Sequence, residues 1–383
     1  MRPFCTIFTV VFILTLPVPI FASDMVGDSI SDTHQVDAGM SHELVTTEVE
    51  GTKGSFAFIP IPISNPTIGT GLGAVAMYMH PKAAGNETLP TTSTGVFGMY
   101  TDSESWAAGA FHDGYYRQDR IRFKMPIGHG SINLKFYGIG TDSPLRNNPI
   151  SYNAKANFTL PRLLFRLPAD HWFLGGQYRF LNIKTSTDLG NRLPISPGTG
   201  IETQTSGLGV VTVYDSRNSN YWPTKGSWLD GTFTHHSEAI GGDYDYQKLV
   251  LKWAQYFPFS DNLLAVYRLD GQLVNGGAPF WDLSKISLRG YAGDQYLDNT
   301  TVTAQAEVRW NFYRRFTAVA FGGLARVADT IGDIGSSKTL PAGGGGLHFM
   351  LKEAEKLSVG IDVAKGEGES VTVYFQIGDW MAK

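Results

Sequence analysis

From Thr301 to Phe312 the chain alternates without a slip. Val302, Ala304, Ala306, Val308, Trp310 and Phe312 fall on one face of an extended strand, and Thr301, Thr303, Gln305, Glu307, Arg309 and Asn311 on the other. A repeat of two is the signature of a β-strand whose faces meet different surroundings. Ser370–Ile377 repeats it, with Val371, Val373, Phe375 and Ile377 against Ser370, Thr372, Tyr374 and Gln376. At Arg120–Met125, Ile121, Phe123 and Met125 oppose Arg120, Arg122 and Lys124. A soluble sandwich alternates too, but here the polar faces carry much Arg, Lys and Glu. The apolar faces end in aromatics, Trp253 with Phe257 and Trp310 with Phe312, as the girdles of an outer-membrane barrel do. Only 17% of the residues are charged, below the ~25% of an average soluble domain.

The one long apolar run is Thr6–Ala22, and nothing after it approaches the ~20 apolar residues of a membrane helix. Arg2 ahead of the run and Ile20-Phe21-Ala22 at its end read as a secretory signal peptide over 1–22. The only cysteine, Cys5, lies inside it, so the mature chain is expected to have no disulfide, thiol chemistry or cysteine metal site. Without Arg2, 30 basic residues face 35 acidic ones, which gives no basic surplus for nucleic acid. Residues 23–53 hold seven acids, Asp24, Asp28, Asp32, Asp37, Glu43, Glu48 and Glu50, and no Lys or Arg before Gly51. They read as a flexible acidic periplasmic tail, too short for a folded accessory domain.

Residues 54–383 read as the barrel: all-β, sixteen antiparallel transmembrane strands running from 67–80 to 369–379. Within that reading, 119–127 and 131–140 are two strands joined at Gly128-His129-Gly130. Segments 81–90, 141–149, 188–200 and 276–298 are the long outer loops, and Thr101–Ser103 and Phe259–Asp261 are short inner turns. Residues 54–66, with Pro60, Pro62 and Pro66, are either a segment crossing the mouth or an irregular first strand.

Leu288-Arg289-Gly290-Tyr291 in the longest loop resembles the [VIL]-R-G-[FY] signature of the BamA/TamA-type outer-membrane superfamily, also called bacterial surface antigens. Tyr214-Asp215-Ser216-Arg217, followed by Pro223 and Gly226, resembles that family's Y-D-x-R…P-x-x-G turn. Ala304–Trp310 with Val319–Val327 resembles the strand pair after the signature loop, and Ala342–Leu347 its glycine-rich strand. The resemblance covers residues 55–380. It implies that the signature loop folds into the lumen and that Arg289 meets acids on the wall, with Glu307 as the partner. It also implies a role in inserting proteins or lipids into the outer membrane of a Gram-negative bacterium, or in translocating them across it.

Three departures qualify the likeness. The aspartate and glycine of the family's F-x-D-x-G motif are replaced by Gly323 and Ala325, so the lock between loop and wall is expected to be partly rewired or weakened, down to Arg289–Glu307 holding the loop alone. The acidic tail stands where the family's assembly proteins carry periplasmic POTRA domains, so a separate POTRA-bearing or client protein is the expected partner beside outer-membrane lipid. Trp380 is followed by three residues instead of ending the chain.

No catalytic set, metal site or small-molecule cofactor is expected. Gly69–Gly73 is not followed by a helix pattern, His235-His236 lacks a third ligand, and His112 beside Asp113 is the nearest thing to a hydrolase pair. The rival reading is a passive pore for small solutes. Arg120, Arg122, Lys124, Arg179, Lys248, Lys252, Arg268 and Arg309 outnumber Asp270 and Glu307 on faces expected to point inward, which would favour anions mildly.

Overall fold

The computed structural model describes residues 9–10, 54–65, 68–81, 92–186, 201–219, 222–352, 356–368 and 371–381. The expected signal peptide and acidic tail lie outside these, apart from Thr9 and Val10, which pair in parallel with Thr372 and Val373. Apart from a two-residue pair in loop 277–299, the remaining strands form one antiparallel ladder in chain order. It opens with β1 (Ser55–Asn65), β2 (Gly69–Met79), β3 (Ser93–Thr101), β4 (Trp106–Tyr116) and β5 (Ile121–Phe136). Then come β6, in the segments Ile150–Thr159 and Arg162–Arg166, β7 (Trp172–Ser186), β8 (Ile201–Asp215) and β9 (Gly226–His236). β10 (Tyr246–Ser260), β11 (Leu263–Gly276), β12 (Thr300–Tyr313) and β13 (Phe316–Ala328) follow. β14 (Leu340–Lys352), β15 (Leu357–Lys365) and β16 (Thr372–Ile377) complete it. Both segments of β6 pair with β5 and with β7, so they are one crossing interrupted at Leu160-Pro161, where proline has no N–H to give the ladder. β1 and β16, the two ends of the ladder, lie alongside each other.

One expected turn is corrected, and one open alternative is decided in favour of a first strand. Gly128-His129-Gly130 is not a turn; it sits within β5, opposite Phe158, Asn157 and Ala156. The glycines are there because the wall is crowded: a Cβ on Gly128 would lie 2.5 Å from the Phe158 ring. Residues 55–65 form a full strand paired along its length with β2, and Pro60 and Pro62 are tolerated because β1 is an end strand. Merging two expected strands and gaining one shifts the up-down alternation of the first five strands. The strand ends at Met79 and Ser93 therefore fall on the side of the short turns 117–120, 261–262 and 314–315, and turn 102–105 on the side of the long loops 137–149 and 277–299. The expected outer loop 81–90 lies almost wholly outside the described residues. Arg120 is an exposed residue of turn 117–120, not a wall residue.

The faces of β12 divide by polarity: Thr301, Thr303, Gln305, Glu307 and Arg309 are buried, whereas Val302, Val308, Trp310 and Phe312 are exposed outward. The inner wall is not polar all round. Along β1–β4 it is apolar, with Ala57, Ile61, Val75, Met77, Met79 and Phe111 packed together. A second apolar group, including Ile132, Leu134, Tyr152, Phe158 and Ile183, lines β5–β7.

Candidate functional site: a loop held inside the barrel

Residues 277–299 leave β11, turn through a short 3-10 segment at Phe280–Asp282 and pair briefly at Ser284–Lys285 with Leu297–Asp298. Phe280 and Trp281 pack against the apolar group on β5–β7. That contact sets Asp282 among cations. Its carboxylate accepts two hydrogen bonds from Arg179, at 2.5 and 2.8 Å, one from Lys248 Nζ at 2.9 Å and one from Tyr246 Oη. Burial alone would raise the Asp282 carboxyl, but Arg179 and Lys248 hold it well below the usual carboxylate range.

Seven residues further the loop is held again. Arg289 is 1% exposed, a burial that a guanidinium tolerates only when paired. Its Nη2 donates to Glu307 at 2.5 Å, and its Nη1 to Asp362 at 2.9 Å. The guanidinium lies 3.5 Å over the Phe321 ring, a cation–π contact that adds to the charge pairing. Gly290 takes φ 108, in the region that favours glycine, and a Cβ there would lie 2.8 Å from Gly366 N. Its N–H donates to Tyr374 Oη at 2.6 Å. Tyr291 Oη donates to Pro341 O at 2.8 Å and accepts from Glu367 N at 3.0 Å. Leu288 is buried, and a Cβ on Gly323 would meet its Cδ1 at 2.6 Å.

Arg289–Glu307 therefore does not hold the loop alone, which corrects the expectation built on Gly323. The space of the missing aspartate belongs to Leu288, and the second carboxylate comes from Asp362 on β15, fixed by His348 Nε2 at 2.8 Å. A sequence signal for Asp362 exists: it stands between Ile361 and Val363 at a polar position of an alternating strand.

The network continues downward. Glu307 also accepts from Arg309 Nε at 2.6 Å, and Arg309 reaches Asp379, which in turn accepts from Tyr256 Oη. Asp379 belongs to the segment after β16, which turns inward at Gly378 (φ 67). The Trp380 carbonyl accepts from Arg268 Nη1 at 2.7 Å, and Met381 Sδ lies 3.6 Å from Arg289 Nη2. Trp380 thus packs inside, 5.8 Å from the Tyr374 ring.

The turn motif meets the same network. Asp215 accepts from Arg217 at 2.8 and 3.0 Å, and Gly226 holds φ 102 with Ser216 O 2.2 Å from where a Cβ would stand. Pro223 O accepts from Arg309 Nη1 at 3.5 Å. Tyr214 stands apart, packed on Trp172 with ring centroids 5.1 Å apart.

The other constellations come apart. His235 and His236 project from opposite faces of β9, and buried His236 stacks on Tyr246 at 4.1 Å. His112 and Asp113 also diverge: His112 bonds Thr94 at 2.8 Å and Tyr116 at 2.7 Å, while Asp113 is buried 3.5 Å from Lys124. Gly69–Gly73 lies in β2, where a Cβ on Gly71 would meet Tyr100 O at 2.0 Å.

An antiparallel ladder with an apolar outer face and a charged loop seated inside it defines a β-barrel protein of the outer membrane. The chain belongs to the Omp85 superfamily: residues 110–378 match the Omp85 superfamily domain. In structure it is similar to BamA from Haemophilus ducreyi lacking POTRA domains 1-3 (16% identity, TM-score 0.58, 86% of this chain and 70% of that one). It is also similar to CdiB from Escherichia coli (14% identity, TM-score 0.60, 86% and 63%) and CdiB from Acinetobacter baumannii (14%, 0.52, 86% and 60%). At these identities the likeness is one of fold, and the chain spans less than two thirds of either CdiB. No curated protein matches the sequence. The family places the protein in the outer membrane of a Gram-negative bacterium, among insertion and translocation barrels.

Proposed function

We propose that this barrel aids the insertion of proteins or lipids into the outer membrane, or their translocation across it, together with a separate periplasmic POTRA-bearing or client protein. It acts by gating, without covalent chemistry, metal or small-molecule cofactor. The observation that carries the reading is the Arg289 site, where one buried cation is shared by carboxylates on β12 and β15. A lumen occupied by a loop held this way is a closed gate and not a clear bore.

The pore reading draws on the basic surplus along the wall, and that surplus is met by acids. Asp282 faces Arg179 and Lys248, Asp270 faces Arg268, and Glu307 and Asp379 face Arg309. Planar-bilayer recordings with the full chain separate the two. Insertion predicts a nearly silent wild type with brief openings that become frequent in R289A, and crosslinks from β1 to an outer-membrane precursor. Large, steady, anion-selective current that R289A leaves unchanged would overturn the insertion reading.

A further inference from the structure

On β5–β8 the outward face changes character along a straight line. Nearer the short-turn side it is apolar, with Ile127, Leu163, Phe165, Leu174, Leu208 and Val210 exposed. Beyond this belt comes a polar rung, His129 opposite Asn157, Asn157 opposite Asn182, and Asn182 opposite Gln204. The next rung aligns Ser131, Lys155, Lys184 and Glu202 in the same way. Meanwhile the inner face of the upper parts of β5–β7 is apolar, covered by Phe280 and Trp281. The polarity is that of a soluble sheet, so the upper wall stands outside the hydrocarbon and the first polar rung marks its edge.

Two residues along a strand are about 7 Å, so the Lys155–Lys184 rung lies at the depth of the lipid headgroups. Both lysines are exposed, and they sit directly opposite each other, with Cβ atoms roughly 5 Å apart, an arrangement that is unfavourable for like charges. Neither makes an ion pair with a described residue. Glu202, the neighbour of Lys184, accepts instead from Asn182 Nδ2 at 3.1 Å. Lys135, also exposed, adds a third cation two rungs farther out.

We propose that Lys155 and Lys184, with Lys135 above them, bind the phosphate groups of outer-leaflet lipids on the outside of the barrel. An anionic phosphate between the two ammonium groups relieves their repulsion, while the apolar belt below receives the acyl chains. The site is independent of the gating role proposed above.

The test is native mass spectrometry of the full chain, released from micelles doped with bisphosphorylated lipid A or with the same lipid stripped of both phosphates. About tenfold to thirtyfold less bisphosphorylated lipid is expected on K155Q/K184Q than on the wild type. K225Q, an exposed lysine on the opposite side, should match the wild type. E202Q should retain more lipid, a gain that misfolding cannot produce. Equal retention by K155Q/K184Q, equal binding of the dephosphorylated lipid, or no gain with E202Q would overturn the proposal. Capture of an acidic protein by this face, with no dependence on the lipid phosphates, would overturn it too.

Discussion

Replacing Arg289 by Ala removes the cation shared by Glu307 and Asp362. Both carboxylates keep a second partner: Glu307 retains Arg309 at 2.6 Å, and Asp362 retains His348 at 2.8 Å. The loss is therefore that of one broken buried pair and not of two, about 3–5 kcal/mol. The contact with Phe321 adds to it. The Asp282 anchor is untouched, so the loop should loosen over 286–291 and stay seated at 280–283. Hydrogen exchange in the reconstituted protein reads this directly. With about 1.4 kcal/mol per factor of ten, amides of 286–291 should exchange about two to four orders of magnitude faster, while those of 280–283 stay within a few-fold of wild type. R289K should fall between, since an ammonium cannot span both carboxylates as a planar fork does. If 286–291 exchange at the wild-type rate in R289A, the two carboxylates do not hold the loop and the gating argument fails.

E307Q should loosen the loop less than R289A, because Arg289 keeps Asp362 and Arg309 keeps Asp379; the same exchange window checks it. G323D restores the family's wall aspartate but drives its Cβ into Leu288 and Ala304 O, both at 2.6 Å, so it should speed exchange at 286–291 instead of slowing it. Asp282 has a folded-state pKa below its unfolded value, so its contribution is present above the ordinary carboxylate range and lost only as pH falls through the depressed value. Protease access to 277–285 should stay unchanged from pH 8 down to about 4; release near pH 5 would contradict the site. D282N should open the same segment at neutral pH.

Much of this was legible in the sequence and some was not, for identifiable reasons. The alternation of β12 carries its own register, and period two translated directly into buried Glu307 and exposed Trp310. Period two does not say which face looks inward, so the apolar inner wall of β1–β7 gave no warning. Gly-His-Gly has turn composition and so breaks β5 in two by sequence alone, whereas Gly128 in the folded strand makes room for Phe158. Arg289 is marked by the signature motif, and Glu307 by its polar position on the alternating strand that follows. Asp282 and Asp379 are not, since each acquires meaning only when a loop or the last residues fold back onto cations brought together by distant strands.

The Arg289 site also has a place in the order of assembly. Its partners lie 18, 73 and 92 residues further along the chain, at Glu307, Asp362 and Met381. Contacts of such separation form late, after intervening segments have been ordered. The loop cannot be secured while the chain is still missing β15 or the turn after β16. A barrel truncated or stalled short of those residues would keep its lumen unblocked, so the seated loop is a built-in record that the last strand has arrived.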